Sequence, residues 1–172
     1  MSEAIPDHID LMRAARSGEH LNGSLKPAKM RRLLELLANA NGQIDVRLDL
    51  TVNERRQAQM TGSLHAKVEA FCQRCMEPIE TEFDVQVDLA LVETEDQQLR
   101  LPEHLDSLVI EQTPSSLTEI IEDELILAFP AVTMHEVDAC KASRFLKDKR
   151  QIEDSDNSER KNPFAALKDF KQ

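Results

Sequence analysis

Residues 44–52 read Ile44-Asp45-Val46-Arg47-Leu48-Asp49-Leu50-Thr51-Val52, a strict alternation of apolar and polar side chains. Successive side chains of a β-strand point to opposite faces, so a period of two marks a strand buried on one side and wet on the other. The same alternation returns at Leu64, Ala66, Val68, Ala70 and Cys72, and again at Ile79, Thr81, Phe83, Val85, Val87, Leu89 and Leu91. Polar residues such as Asn53-Glu54-Arg55-Arg56 separate the runs. Three sequential strands joined by short turns form an antiparallel meander, one face of which is apolar and needs a cover.

That cover is a helix after Pro114. Ser116 and Glu119 have the spacing of a capping box, Leu117, Ile120, Ile121, Leu125 and Ala128 recur at helical intervals, and Pro130 closes the run. A second, N-terminal helix is expected after Pro27, where Met30, Leu33, Leu34 and Leu37 share a face and Gly42 lies beyond as a stop. Residues 1–26 are expected to be irregular apart from a short strand within residues 19–25, a further short strand is expected at Leu108-Val109-Ile110, and residues 93–106 are expected to form an acidic loop. The expected fold class is α+β: an antiparallel β-meander packed against one main helix, with an N-terminal helix and a flexible C-terminal tail.

The tail divides further. Residues 1–146 form the expected α+β domain, and residues 147–161 hold one large apolar side chain, Ile152, as befits a flexible linker. In residues 162–172, Asn162 suits an N-cap and Pro163 the first helical position, and Phe164, Leu167 and Phe170 line one side. So short a helix is not stable alone in water, so it is expected to dock, either on its own domain or on a partner.

Charge separates the same regions. Residues 1–40 carry 6 basic and 5 acidic side chains, residues 41–140 carry 6 and 21, and residues 141–172 carry 9 and 6. An acidic body repels phosphate, and the absence of Tyr and Trp removes the usual base-stacking platform, so basic protein partners are favoured over nucleic acid. No long apolar run or basic-then-apolar leader is present, and a cytoplasmic protein without membrane partner is expected. Motifs of nucleotide binding, serine hydrolysis or zinc proteolysis are missing, and Glu122-Asp123-Glu124 reads as a solvated helix face, so enzymatic activity and a small-molecule substrate are not expected.

Cysteine chemistry remains. Cys72 and Cys75 form a C-x-x-C pair at a strand end, and His135 and Cys140 follow the main helix, about 60 residues on. Three thiols and one imidazole make a Cys3His set for a structural zinc ion. Reduced structural thiols and a redox pair are the competing readings, although redox C-x-x-C pairs open a helix after a strand rather than joining two strands.

In order and spacing, four segments resemble the YceD family of large ribosomal RNA subunit accumulation proteins. They are Cys72-Gln73-Arg74-Cys75 with its following strand, Glu122 through Pro130, His135 with Cys140, and Lys161-Asn162-Pro163-Phe164-Ala165-Ala166-Leu167. The resemblance spans roughly residues 45–172. It implies a bacterial factor for synthesis, processing or stability of large-subunit (23S) ribosomal RNA, with ribosomal proteins or rRNA-processing factors as partners. The leading expectation is a non-enzymatic adaptor whose acidic body holds a basic protein while the terminal helix docks on another. The alternatives are a direct RNA-binding zinc protein using Arg31, Arg32, Lys147, Lys149, Arg150, Lys161 and Lys168, and a thiol redox sensor.

Overall fold

The computed structural model describes residues 5–103 and 105–145. In chain order its elements are β1 (His8–Ile9), α1 (Leu11–Ser17), β2 (His20–Leu25), a 3-10 turn (Pro27–Lys29) and α2 (Arg31–Leu34). The sheet strands β3 (Leu37–Val52), β4 (Ala58–Phe71) and β5 (Pro78–Val92) follow, then α3 (Glu95–Gln98), β6 (Asp106–Val109), β7 (Ser115–Ser116) and α4 (Leu117–Ala128). The expected meander is present and carries a further strand on each side, in the order β2-β3-β4-β5-β6. All neighbours are antiparallel except β6, which runs parallel to β5.

Register follows from the period-two pattern. Ile44 lies opposite Ala66 and Val46 opposite Leu64, so one face collects apolar side chains from every strand. That face buries Ile44, Val46, Leu48, Leu50, Met60 and Leu64 to 1% exposure or less. α4 helps to cover it with Leu117, Ile120, Ile121 and Leu125, and the Ser116 hydroxyl accepts the Glu119 N–H as the capping box requires. The opposite face is wet. It presents Asp45, Arg47 and Asp49 from β3, His65 and Lys67 from β4, and Glu80, Glu82, Asp84 and Asp88 from β5.

Two local expectations change. The helix expected over residues 28–38 is only the 3-10 turn and the four residues of α2. Met30 between them is extended, with φ −110° and ψ 90°, and Leu37 already pairs with Ala70 in the sheet. One turn suffices to bury Met30 and Leu33 completely, after which ladder hydrogen bonds take the chain. Helix α1 arises where the alternation-based reading expected irregular chain. Asp10 caps it by accepting the Arg13 N–H at 3.0 Å, and Gly18 ends it in the left-handed region at φ 67°.

Chain contacts set residues 1–134 apart from those beginning at His135. Within residues 135–145 the backbone turns on itself, with Cys140 N–H donating to the Glu136 carbonyl at 3.0 Å and Ser143 N–H to that of Cys140 at 2.9 Å. No helix among the described residues is long and apolar enough to cross a membrane.

Candidate metal centre

The hairpin between β4 and β5 closes at the pair Phe71 and Pro78, leaving Cys72 through Glu77 as the turn. Cys72 N–H donates to the Glu77 carbonyl at 2.8 Å, and Met76 N–H returns to the Cys72 carbonyl at 2.8 Å. The second bond spans four residues and winds the turn so that the side chains of Cys72 and Cys75 come to one side. Met76 then reverses the chain at φ 60°, a conformation that costs a non-glycine residue about 1 kcal/mol. Cys72 is fully buried and Cys75 half-buried.

The chain leaving α4 is fastened along this turn. Gln73 N–H donates to the Thr133 carbonyl at 2.9 Å, the Gln73 amide donates to the Ala131 carbonyl at 3.1 Å, and the Thr133 hydroxyl donates to the Phe71 carbonyl at 2.7 Å. Arg74 reaches the Met134 sulfur at 3.5 Å. Its other terminal nitrogen is buried without a hydrogen-bond partner among the described residues. His135 follows directly on this anchored strand.

On the β4–β5 turn the sulfurs of Cys72 and Cys75 lie within 4.8 Å of each other, and in the segment beginning at His135 a ring nitrogen of His135 and the sulfur of Cys140 do the same. Donor atoms around a tetrahedral zinc stand roughly 3.5–3.8 Å apart for Zn–S bonds of about 2.3 Å. Three thiols with one imidazole make a donor set that could hold a zinc ion. None of the cysteines is in a disulfide. The other predicted site residues, Asn162, Pro163, Phe164, Leu167 and Phe170, lie outside the described residues.

A second polar site, not expected from sequence, lies on α4. Glu122 was read as part of a solvated carboxylate run, yet it is only 4% exposed. Its Oε1 accepts the Leu33 N–H at 3.0 Å and the Arg32 N–H at 2.6 Å, while Oε2 accepts from the Arg32 guanidinium at 3.0 Å. Burial pushes its pKa up, but the Leu33 N–H, the Arg32 side chain and the Arg32 N–H together outweigh burial and hold it below 4.5. Arg32 also donates to Asp123 at 2.5 Å, so it is not a free cation on the surface. The only advance signal was a pair of adjacent arginines facing three adjacent carboxylates across 90 residues.

A family model described as "Large ribosomal RNA subunit accumulation protein YceD" matches residues 60–171. One curated relative, the large ribosomal RNA subunit accumulation protein YceD of Haemophilus influenzae, is 28% identical over 169 residues, covering 98% of this chain and 97% of the relative. No solved structure matches.

Proposed function

Since the chain belongs to the YceD family, we propose that it sustains accumulation of the large-subunit (23S) ribosomal RNA as a cytoplasmic, non-enzymatic adaptor for protein partners. Family membership supports the process, and the observation that carries the adaptor reading is the wet sheet face, whose β5 row holds Glu80, Glu82, Asp84 and Asp88 and no basic side chain. Such a face repels the phosphates of RNA and attracts basic proteins of the kind that coat ribosomal RNA. Direct RNA binding is further disfavoured because Arg32 is committed to Glu122 and Asp123.

In this reading Cys72, Cys75, His135 and Cys140 would hold a zinc ion that pins the chain after α4 to the β4–β5 turn. A four-ligand site of this kind is structural: the ion supplies folding energy and no open coordination position for a substrate. Asn162 and Pro163 would start a terminal helix whose Phe164, Leu167 and Phe170 dock on a second protein.

Mass spectrometry of complexes held by tagged full-length chain and by residues 1–160 tests the reading. Ribosomal or rRNA-processing proteins with the full chain, and a subset of them lost on truncation, are expected. Purified full chain that binds large-subunit precursor RNA directly with a steep salt dependence, and recovers no such proteins, contradicts it.

A further inference from the structure

Strand β5 is open along most of one edge. β4 pairs with it from Pro78 to Ala90, whereas β6 covers the other edge only from Leu89 to Val92. Among the described residues, residues 79–88 have no strand on that side, an edge of ten residues and roughly 33 Å at about 3.3 Å per residue. Every second residue of an antiparallel ladder turns its N–H and C=O away from the partner strand, so about five residues present backbone donors and acceptors along this edge.

The lane beside the edge is the one β6 occupies further on. Where β6 begins, a cavity of about 630 Å³ opens, lined by Leu89, Leu99, Leu101, Asp106 and Leu127 among others. Leu99 and Leu127 are 83% and 81% exposed, apolar surface that no described residue covers.

We propose that residues 79–88 are the docking edge for an extended partner segment in which basic and apolar residues alternate, added as a strand in line with β6. The inference rests on the adaptor reading and supplies the place where the basic partner is held. Alternation follows from geometry. One set of the added side chains shares the wet face with Glu80, Glu82, Asp84 and Asp88, and the other set lies beside Ile79, Thr81 and Phe83, on the side where Phe129 meets Phe83 edge-on at 5.7 Å. On the β4 side Lys67 and His65 already contact Glu80, Glu82 and Asp84, which leaves the edge side of those carboxylates for the partner's cations.

Charge also selects against other occupants. A second copy pairing through the same edge would set carboxylates beside carboxylates, and like charges across neighbouring strands repel. Nucleic acid would bring phosphate to the same row.

Fluorescence anisotropy with the full chain tests this, using a labelled decapeptide of alternating Lys and Val. Two controls accompany it: the same residues in blocks, five Lys then five Val, and the alternating peptide N-methylated at odd or at even positions. The alternating peptide should bind, with hydrogen-exchange protection gained at residues 79–88. The block peptide, which sets like side chains on both faces, and the one methylated peptide that lacks the N–H groups facing β5 should each bind about tenfold weaker or worse. Glu80→Gln with Asp88→Asn should weaken binding and flatten its salt dependence. Equal binding of all four peptides, protection elsewhere, or no binding overturns the proposal. If the peptide fails while cells lacking the chain still lose large-subunit RNA, the docking edge falls and the broader function stands. If the peptide binds but that RNA is unaffected, the edge stands and the broader function falls.

Discussion

The carboxylate of Glu122 and the backbone N–H of Leu33, 89 residues apart in sequence, meet at 3.0 Å in the interior. Through this contact α4 holds the four residues of α2 in place. Within α2 the Leu34 N–H donates to the Met30 carbonyl at 3.0 Å, while the Arg32 and Leu33 N–H groups have no carbonyl four residues back inside the turn and donate to Glu122 instead. Removing the carboxylate leaves the buried Leu33 N–H and the part-buried Arg32 N–H without their acceptor, so Glu122→Ala should destabilise the fold by roughly 2–4 kcal/mol in urea unfolding. Asp123→Asn, at the exposed end of the same arginine, should stay within about 0.5 kcal/mol.

The same contact sets an acid limit. The folded pKa of Glu122 lies below its ordinary value of 4.5, so its stabilisation is full above that value and is lost as pH falls through the lower folded value. Urea midpoints measured from pH 6 to pH 3 should fall for the native chain. The gap between it and Glu122→Gln should shrink over the same descent.

His65 works in the opposite sense on the wet face. Its ring lies 2.8 Å from Asp84 and 3.0 Å from Glu82, and the Asp84 hydrogen bond, followed by the charges of Asp84, Glu82 and Asp45, raises its pKa above 6.5. A raised histidine contributes fully below its unfolded value and loses that contribution as pH rises through the folded one. NMR titration of the His65 ring should give a midpoint above 6.5, and Asp84→Asn should lower it. A thermal-stability advantage over His65→Gln should be present below pH 6.5 and be lost as pH rises through the folded value.

Gly62 sits at the crossing of β3, β4 and β5, opposite Leu48 and Val87, with φ +150°. A Cβ there would stand 2.0 Å from the Arg47 carbonyl oxygen, a clash with backbone that cannot yield. Gly62→Ala should therefore cost about 2 kcal/mol or more, whereas Gly18→Ala, with nothing within 4 Å, should cost only the left-handed strain of about 1 kcal/mol. Chemical denaturation of the two variants side by side checks the ordering.

The Cys3His cluster makes a compositional forecast. Protein purified under reducing conditions should carry about one zinc per chain by elemental analysis, and Cys75→Ser should carry much less. Since such an ion would bind the folded chain, a strong chelator should lower the thermal midpoint of the native protein by about 5 °C or more and that of Cys75→Ser hardly at all.

Much of this was legible in the chain. Alternation at Ile44, Val46, Leu48 and Leu50 marks the buried face, because a one-residue slip would expose every one of them. The candidate metal ligands were legible from residue type, since three thiols and one imidazole fall in two short segments, one at a hairpin turn and one after the main helix. Helix α1 was not, because its buried side chains are Leu11, Ala14 and Ala15, and alanines give little periodic signal. Spacing overstated the helix after Pro27, since the sheet competes for the same residues and wins from Leu37 onward. Glu122 was hidden by its neighbours: consecutive helical residues point about 100° apart, so one carboxylate of three can turn inward without any mark in the sequence.

The most direct measurement is the ratio of large- to small-subunit ribosomal RNA in cells depleted of this chain, with and without re-expression of the native sequence. Depletion should lower the ratio and re-expression should restore it, while the double variant Glu80→Gln with Asp88→Asn restores it only in part. An unchanged ratio on depletion would contradict the proposed function outright.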